Sequence, residues 1–206
     1  TYVDAEVSGE VIGNIISRPY WMWGAEMGFN QEGVSIGNEA IFTKRKFNDI
    51  GMTGMDLLRL GLEEARTSKR ALEIMCGYVE NYGINGSNSH GKREYYDDIY
   101  LIADREDIFV LETYGKKYHY ERIDKHASIS NISFRFNDGS FDPRTRMIYT
   151  YLGMGSRRVS KSAKFISSES KRGLTDIMSF LRSHKSDDFD PSKCKNEDIC
   201  MHHSGL

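Results

Sequence analysis

The chain has 206 residues, enough for one domain with a sizeable core, and its 39% hydrophobic and 28% charged composition is that of an ordinary folded protein. Lys+Arg (28) and Asp+Glu (30) nearly cancel to a net charge of −2, which removes the electrostatic case for nucleic acid or an anionic membrane and leaves a small-molecule partner as the expectation. No apolar run is long enough to span a bilayer, and three cysteines, Cys76, Cys194 and Cys200, are too few and too unevenly spaced for a disulfide framework, so a reducing, cytoplasmic setting is favoured. A homo-oligomer is left open.

Val3, Ala5 and Val7 alternate with polar neighbours, and Val11, Ile12, Ile15 and Ile16 lead into Arg18-Pro19; both stretches read as strands. After Tyr20-Trp21-Met22-Trp23, Glu26 to Asn30 and Gly33 to Phe42 form a predicted hairpin around the turn residues Asn30-Gln31-Glu32-Gly33. Two helices follow. Thr53 precedes Asp56 at capping spacing, with Met55, Leu58, Leu62 and Ala65 in helical register; the second helix runs from about Ser68 to Tyr82, with Leu72, Met75 and Val79 on one side and Gly83 as its stop.

Gly83 to Gly91 is a loop by composition, without the Lys-Ser/Thr ending a phosphate cradle needs. Four β-type runs resume the sheet: DDIYLIAD, DIFVLETY, KYHYERI and ASISNISF, the first two joined by a turn at Asp104-Arg105-Glu106. Helix returns at Met147 to Leu152, Arg158 to Ile166, and around Leu174, Ile177, Met178 and Leu181; the polar stretch from about 186 to 206 reads as an exposed connector. Cys194, Cys200, His202 and His203 offer soft and imidazole groups, but at a spacing that matches no closed metal site, so neither metal nor other cofactor is expected. Strands, then helices, then strands give an α+β domain of separate layers.

The segment RPYWMWGAEMGFNQEGVSIGNEAIFTK, from Arg18 to Lys44, is similar to the signature stretch of the secernin and dipeptidase A family. The similarity continues through GMTGMDLLRLGLEEARTSKRALEIM, YGINGSNSHG and LIADREDIFVLETYGKKYHYERI to SISN, covering roughly residues 1 to 185. This resemblance implies an αββα sandwich of two stacked antiparallel sheets flanked by helices, and an amidohydrolase or dipeptidase acting on short peptides or small amides. In such proteins an N-terminal cysteine attacks the amide, its own α-amino group serves as base, and water releases the acyl-enzyme. The chain aligns as an interior piece, with the cysteine and opening strand before Thr1 and a further strand beginning near Ile199, so these residues alone are expected to lack activity. Thr1 itself aligns with an interior strand position, which argues against its being the nucleophile.

The resemblance assigns site residues one by one. Asn131 in Ser-Ile-Ser-Asn matches an amide donor to the oxyanion of the tetrahedral intermediate; Arg157 falls where a positive residue faces the nucleophile, with Arg158 its most easily confused neighbour. Asn38 and Glu39 lie on a strand bordering the cleft, and alternation lets only one of them face it: Asn38 as a second amide donor, or Glu39 as partner of a substrate ammonium. Trp21, Trp23 and Glu26 are candidates for the pocket mouth, though aromatic residues beside a strand pair are commonly core. Two other functions fit the same scaffold: a non-catalytic, secernin-like interaction protein, and penicillin- or bile-salt-type amide cleavage.

Overall fold

The computed structural model describes residues 3–5, 9–48, 50–134, 151–168, 172–184 and 198–200. They form an α+β arrangement with one six-stranded antiparallel sheet and four helices: β1 (Asn14–Ser17), β2 (Met27–Asn30), β3 (Ser35–Ile41), α1 (Gly54–Glu64), α2 (Ser68–Tyr82), β4 (Asp97–Ala103), β5 (Ile108–Tyr114), β6 (Lys117–Ile123), α3 (Gly155–Ser167) and α4 (Leu174–Leu181). Each strand pairs with its neighbours in sequence, in the order β1-β2-β3-β4-β5-β6. Only the β3–β4 connection is long, and it contains both α1 and α2.

The helix pair is set by local chemistry. Thr53 Oγ1 accepts from the Asp56 backbone N–H at 3.1 Å and starts α1. Thr67 Oγ1 does the same for Arg70, also at 3.1 Å, and starts α2. Gly83, at φ 72°, ends α2 by donating its N–H to Val79 O at 2.9 Å, a conformation glycine adopts without steric cost.

Strand alternation divides the side chains between two faces. Ile36, Tyr100, Ile102, Phe109 and Leu111 meet Leu57, Leu58, Leu62, Met75 and Val79 of α1 and α2 in the main core. Ile41, Ile99 and Val110 point the other way, into a smaller cluster beneath Ala127, Ile129 and Phe134. Toward β1 this second face opens: Ile15, Met27 and Phe29 are more than half exposed, and Met27 and Phe29 border a groove of about 420 Å³ with Gly37, Glu39, Leu101 and Ile129.

Several expectations need correction. Val3, Asp4 and Ala5 belong to no strand; Val3 and Ala5 pack against the main core instead, and Ile12 donates its N–H to Glu63 O of α1 at 2.8 Å, so the opening segment follows the helix layer. Residues 1–2 and 6–8 lie outside the described set. ASISNISF is not a fourth strand of the meander. Side chains hold it: Glu112 Oε1 accepts from Ser133 Oγ and Oε2 from the Phe134 N–H, both at 2.8 Å, and Ile132 N–H turns back to Ser130 O at 2.6 Å. A second sheet is not present among the described residues. Of the Met147–Leu152 stretch, only Tyr151 and Leu152 are described, and they are helical; of 186–206, only residues 198–200 are described.

Candidate functional site

β3 outruns β2 at one end, since β2 begins opposite Gly37, and this leaves the edge of β3 unpaired by a strand from Asn38 to Ile41. Asn131 occupies that edge. Its Nδ2 donates to Ala40 O at 3.1 Å, which places the amide beside Glu39, whose pKa it helps to lower.

Arg158 fixes the other end of the Asn131 amide. Its guanidinium donates to Asn131 Oδ1, to Ser130 Oγ at 3.1 Å and to Gly153 O at 2.6 Å. With the carbonyl end of Asn131 held by a cation, its N–H end is aimed at Ala40 and Glu39. Helix α3 can come this close because it opens with Gly155, whose Cα lies against the Asn131 backbone: a β-carbon there would stand 3.0 Å from Asn131 N. One turn after Arg158, Ser162 faces the same segment and shares a hydrogen bond with Ser128 Oγ.

Burial raises the Glu39 pKa; Arg158 partly offsets the rise, Glu26 adds to it, and the Asn131 hydrogen bond opposes it. Burial likewise raises Glu26. Arg158 is shifted down by burial, with Glu39 acting against that shift. The result is a half-buried carboxylate in contact with an amide and in the field of one cation and one further carboxylate. Such a site holds an anion on its donors, or a cation between its two carboxylates.

The candidates therefore separate. Glu39 and Asn131 come together beside Arg158, and Glu26 lies within electrostatic reach of Glu39. Arg157, its sequence neighbour, donates its backbone N–H to Met154 O at 3.1 Å in the first turn of α3. Asn38 points to the opposite face of the sheet, where Nδ2 donates to Asp98 Oδ1 at 3.1 Å. Trp21 packs edge-on against Tyr20 at 5.1 Å and tilts over His90 at 5.9 Å. Trp23 lies under the Arg59 guanidinium, 4.3 Å from its ring centre, beside α1. Cys194, His202 and His203 lie outside the described residues, and among those described no group of three or more His, Cys, Asp or Glu could hold a metal ion. No described helix is long and apolar enough to cross a membrane.

Arg158 is the residue that sequence reading placed second. The helical spacing of Arg158 and Ser162 is the signal that could have ranked it above Arg157, since both lie on the face that meets residues 128–131. Asp98 went unnoticed, because a carboxylate in a strand carries no local mark of being buried. No protein-family model matches the chain.

Proposed function

We propose that the chain carries the substrate-holding part of a cysteine-type N-terminal-nucleophile amidohydrolase of the secernin and dipeptidase A kind, cleaving short peptides or small amides through an acyl-enzyme. The observation that carries the reading is Asn131: a neutral amide, oriented by Arg158, that already donates to a carbonyl oxygen, that of Ala40, at 3.1 Å. An oxyanion arising from attack on a carbonyl presents the same acceptor, and a donor fixed beforehand stabilises it without having to reorganise.

In this reading the thiolate adds to the amide carbonyl, the C–N bond breaks as the α-amino group of the nucleophile returns its proton to the leaving amine, and water then hydrolyses the thioester. The nucleophile is none of this chain's three cysteines. Cys76 sits in the helix-facing core with its thiol pushed up to about 12 by burial, which makes it a poor thiolate. Glu39 and Glu26 supply the negative charge that holds a peptide's α-ammonium beside the scissile bond. The αββα sandwich belongs to the same proposal, with a second sheet over the face that exposes Ile15, Met27 and Phe29.

That exposed apolar face also favours the second reading, a binding module on this scaffold, with a partner covering those three residues. The two readings part at the mature N-terminus: a cysteine there belongs to the enzyme, an inert residue to the module.

Calorimetric titration tests the ammonium site. A dipeptide with a free amino group is expected to bind the protein about tenfold or more tightly than its N-acetylated form, roughly the 1.4 kcal/mol of one charge-assisted contact, and Glu39→Gln is expected to erase that difference. Because Glu39 must be ionised to act, binding of the free peptide should strengthen as pH rises through its raised pKa. Equal binding of both peptides to the unaltered protein would remove Glu39 from the site.

A further inference from the structure

Asp98 lies on β4 beneath the first turn of α1 and has no exposed surface. Its carboxyl presses against Gly54, where a β-carbon would overlap all three carboxyl atoms. Asn38 is its diagonal neighbour on the same face of the sheet, one strand away, since Ala40 is paired with Asp98 and Asn38 with Tyr100. Asn38 Nδ2 donates to Asp98 Oδ1 at 3.1 Å. The remaining oxygen of each side chain, Asp98 Oδ2 and Asn38 Oδ1, is buried without a hydrogen-bond partner.

Two acceptors of one amide and one carboxyl are thus left over together, and a single hydrogen satisfies both. A carboxylic acid offers an O–H to an amide oxygen while its carbonyl oxygen accepts from the amide N–H, which closes a reciprocal ring of two hydrogen bonds. We infer that Asp98 is a neutral acid in the folded protein, donating from Oδ2 to Asn38 Oδ1, and that it is the positioning residue that fixes the Asn38 amide and ties β3 to β4 under α1.

Among the described residues no cation forms an ion pair with Asp98. The Arg45 guanidinium, whose charge reaches Asp98, is committed to Asp97 at 2.6 Å, and Asp97 also accepts from Thr43 Oγ1 at 2.6 Å. From α1 come Gly54 and the carboxylate of Asp56; from β4 itself Tyr100, whose hydroxyl donates to Gly54 O at 3.2 Å; from β5 Thr113, which bonds only the Asp98 backbone; from before β2 and β4, Glu26 and Tyr96. Glu39 and its partner Arg158 are on the other face. In keeping with this, burial pushes the Asp98 pKa well up, Asp97 and Glu26 push it further, and Asn38 and Arg45 offset only part of the rise.

Infrared spectroscopy with carbon-13-labelled aspartate tests the inference. At neutral pH the unaltered protein is expected to show a C=O band of a neutral carboxylic acid that shifts with the label and is missing from Asp98→Asn. The variant should fold, because an asparagine reproduces the reciprocal pair. A carboxyl with a raised folded pKa stabilises the fold at low pH, and that contribution fades as pH climbs from the unfolded value, near 4, to the folded one. The ratio of folding constants, unaltered protein over Asp98→Asn, is therefore expected to fall about tenfold per pH unit across that window. A flat ratio between pH 4 and 7, or the absence of a labelled acid band in the unaltered protein, would overturn the inference; the band decides even if the variant fails to fold.

Discussion

Asn30→Ala is expected to remove about 3–5 kcal/mol of folding stability, a large part of the whole margin of an average domain. Sequence reading makes Asn30 a turn residue, and its Oδ1 does accept from Glu32 N–H at 3.1 Å and Val34 N–H at 3.0 Å inside the hairpin turn. Its Nδ2 goes further, donating to Leu62 O at 2.9 Å and Ala65 O at 2.7 Å at the end of α1. Helix ends leave carbonyls without intrahelical partners, and α1 has no glycine beyond it to turn the chain back, so this side chain from the sheet does the capping. Asn30 is almost entirely buried, and water does not replace what alanine would lose. Asn30→Asp keeps both turn bonds but sets a carboxylate oxygen against two carbonyls, so it should be nearly as damaging. Urea unfolding checks both; a loss under about 1 kcal/mol for alanine would mean that the turn and the helix end are held by other contacts.

Gly24→Ala is expected to cost about 3 kcal/mol or more through overpacking. The chain before β2 crosses the first turn of α1 with Ala25 N–H donating to Met55 O at 3.0 Å, and the Gly24 Cα lies so close that an added methyl would fall well inside contact distance of the Met55 carbonyl and the Asp56 nitrogen. These are backbone atoms in the first turn of a helix capped by Thr53, and they cannot swing aside as a side chain can. Gly77, on α2, has nothing within 4 Å of an added β-carbon, and there alanine should stabilise by about 0.5–1 kcal/mol because it restricts the unfolded chain and favours helix. The opposite signs of the two substitutions, measured by thermal or chemical unfolding, separate close approach from a general intolerance of alanine.

Where local chemistry decides structure, the sequence is readable. Thr53, Thr67 and Gly83 mark the ends of the helix pair because capping needs only residues within a few positions of one another. The β2–β3 hairpin and the runs that become β4, β5 and β6 follow from alternation and turn residues in the same way. ASISNISF misleads for a tertiary reason. Ile129 and Phe134 do lie over Ile99 and Val110, but an odd five positions apart they cannot share one face of a strand, and the segment's groups are met by the Glu112 carboxylate and by Ser162 instead of by a strand partner; no local pattern announces those partners. The same limit applies to the site. Alternation shows that Asn38 and Glu39 face opposite ways, yet only the packing of Ile36 and Tyr100 against the helices settles that Glu39 joins Asn131 while Asn38 turns to Asp98. Arg157 and Arg158 differ by about 100° around a helix axis, and their roles depend on which face α3 turns to residues 128–131.

In the proposed reaction Asn131 stabilises the oxyanion of an amide hydrolysis. The most direct test of this role is steady-state cleavage of a dipeptide by the protein expressed from its own gene and allowed to mature, compared with Asn131→Ala. Loss of one preorganised oxyanion donor is expected to lower kcat by about 10²–10³-fold with KM little changed, since the bond is strongest in the transition state. A kcat unchanged by Asn131→Ala, in a variant with unaltered unfolding, would contradict the account.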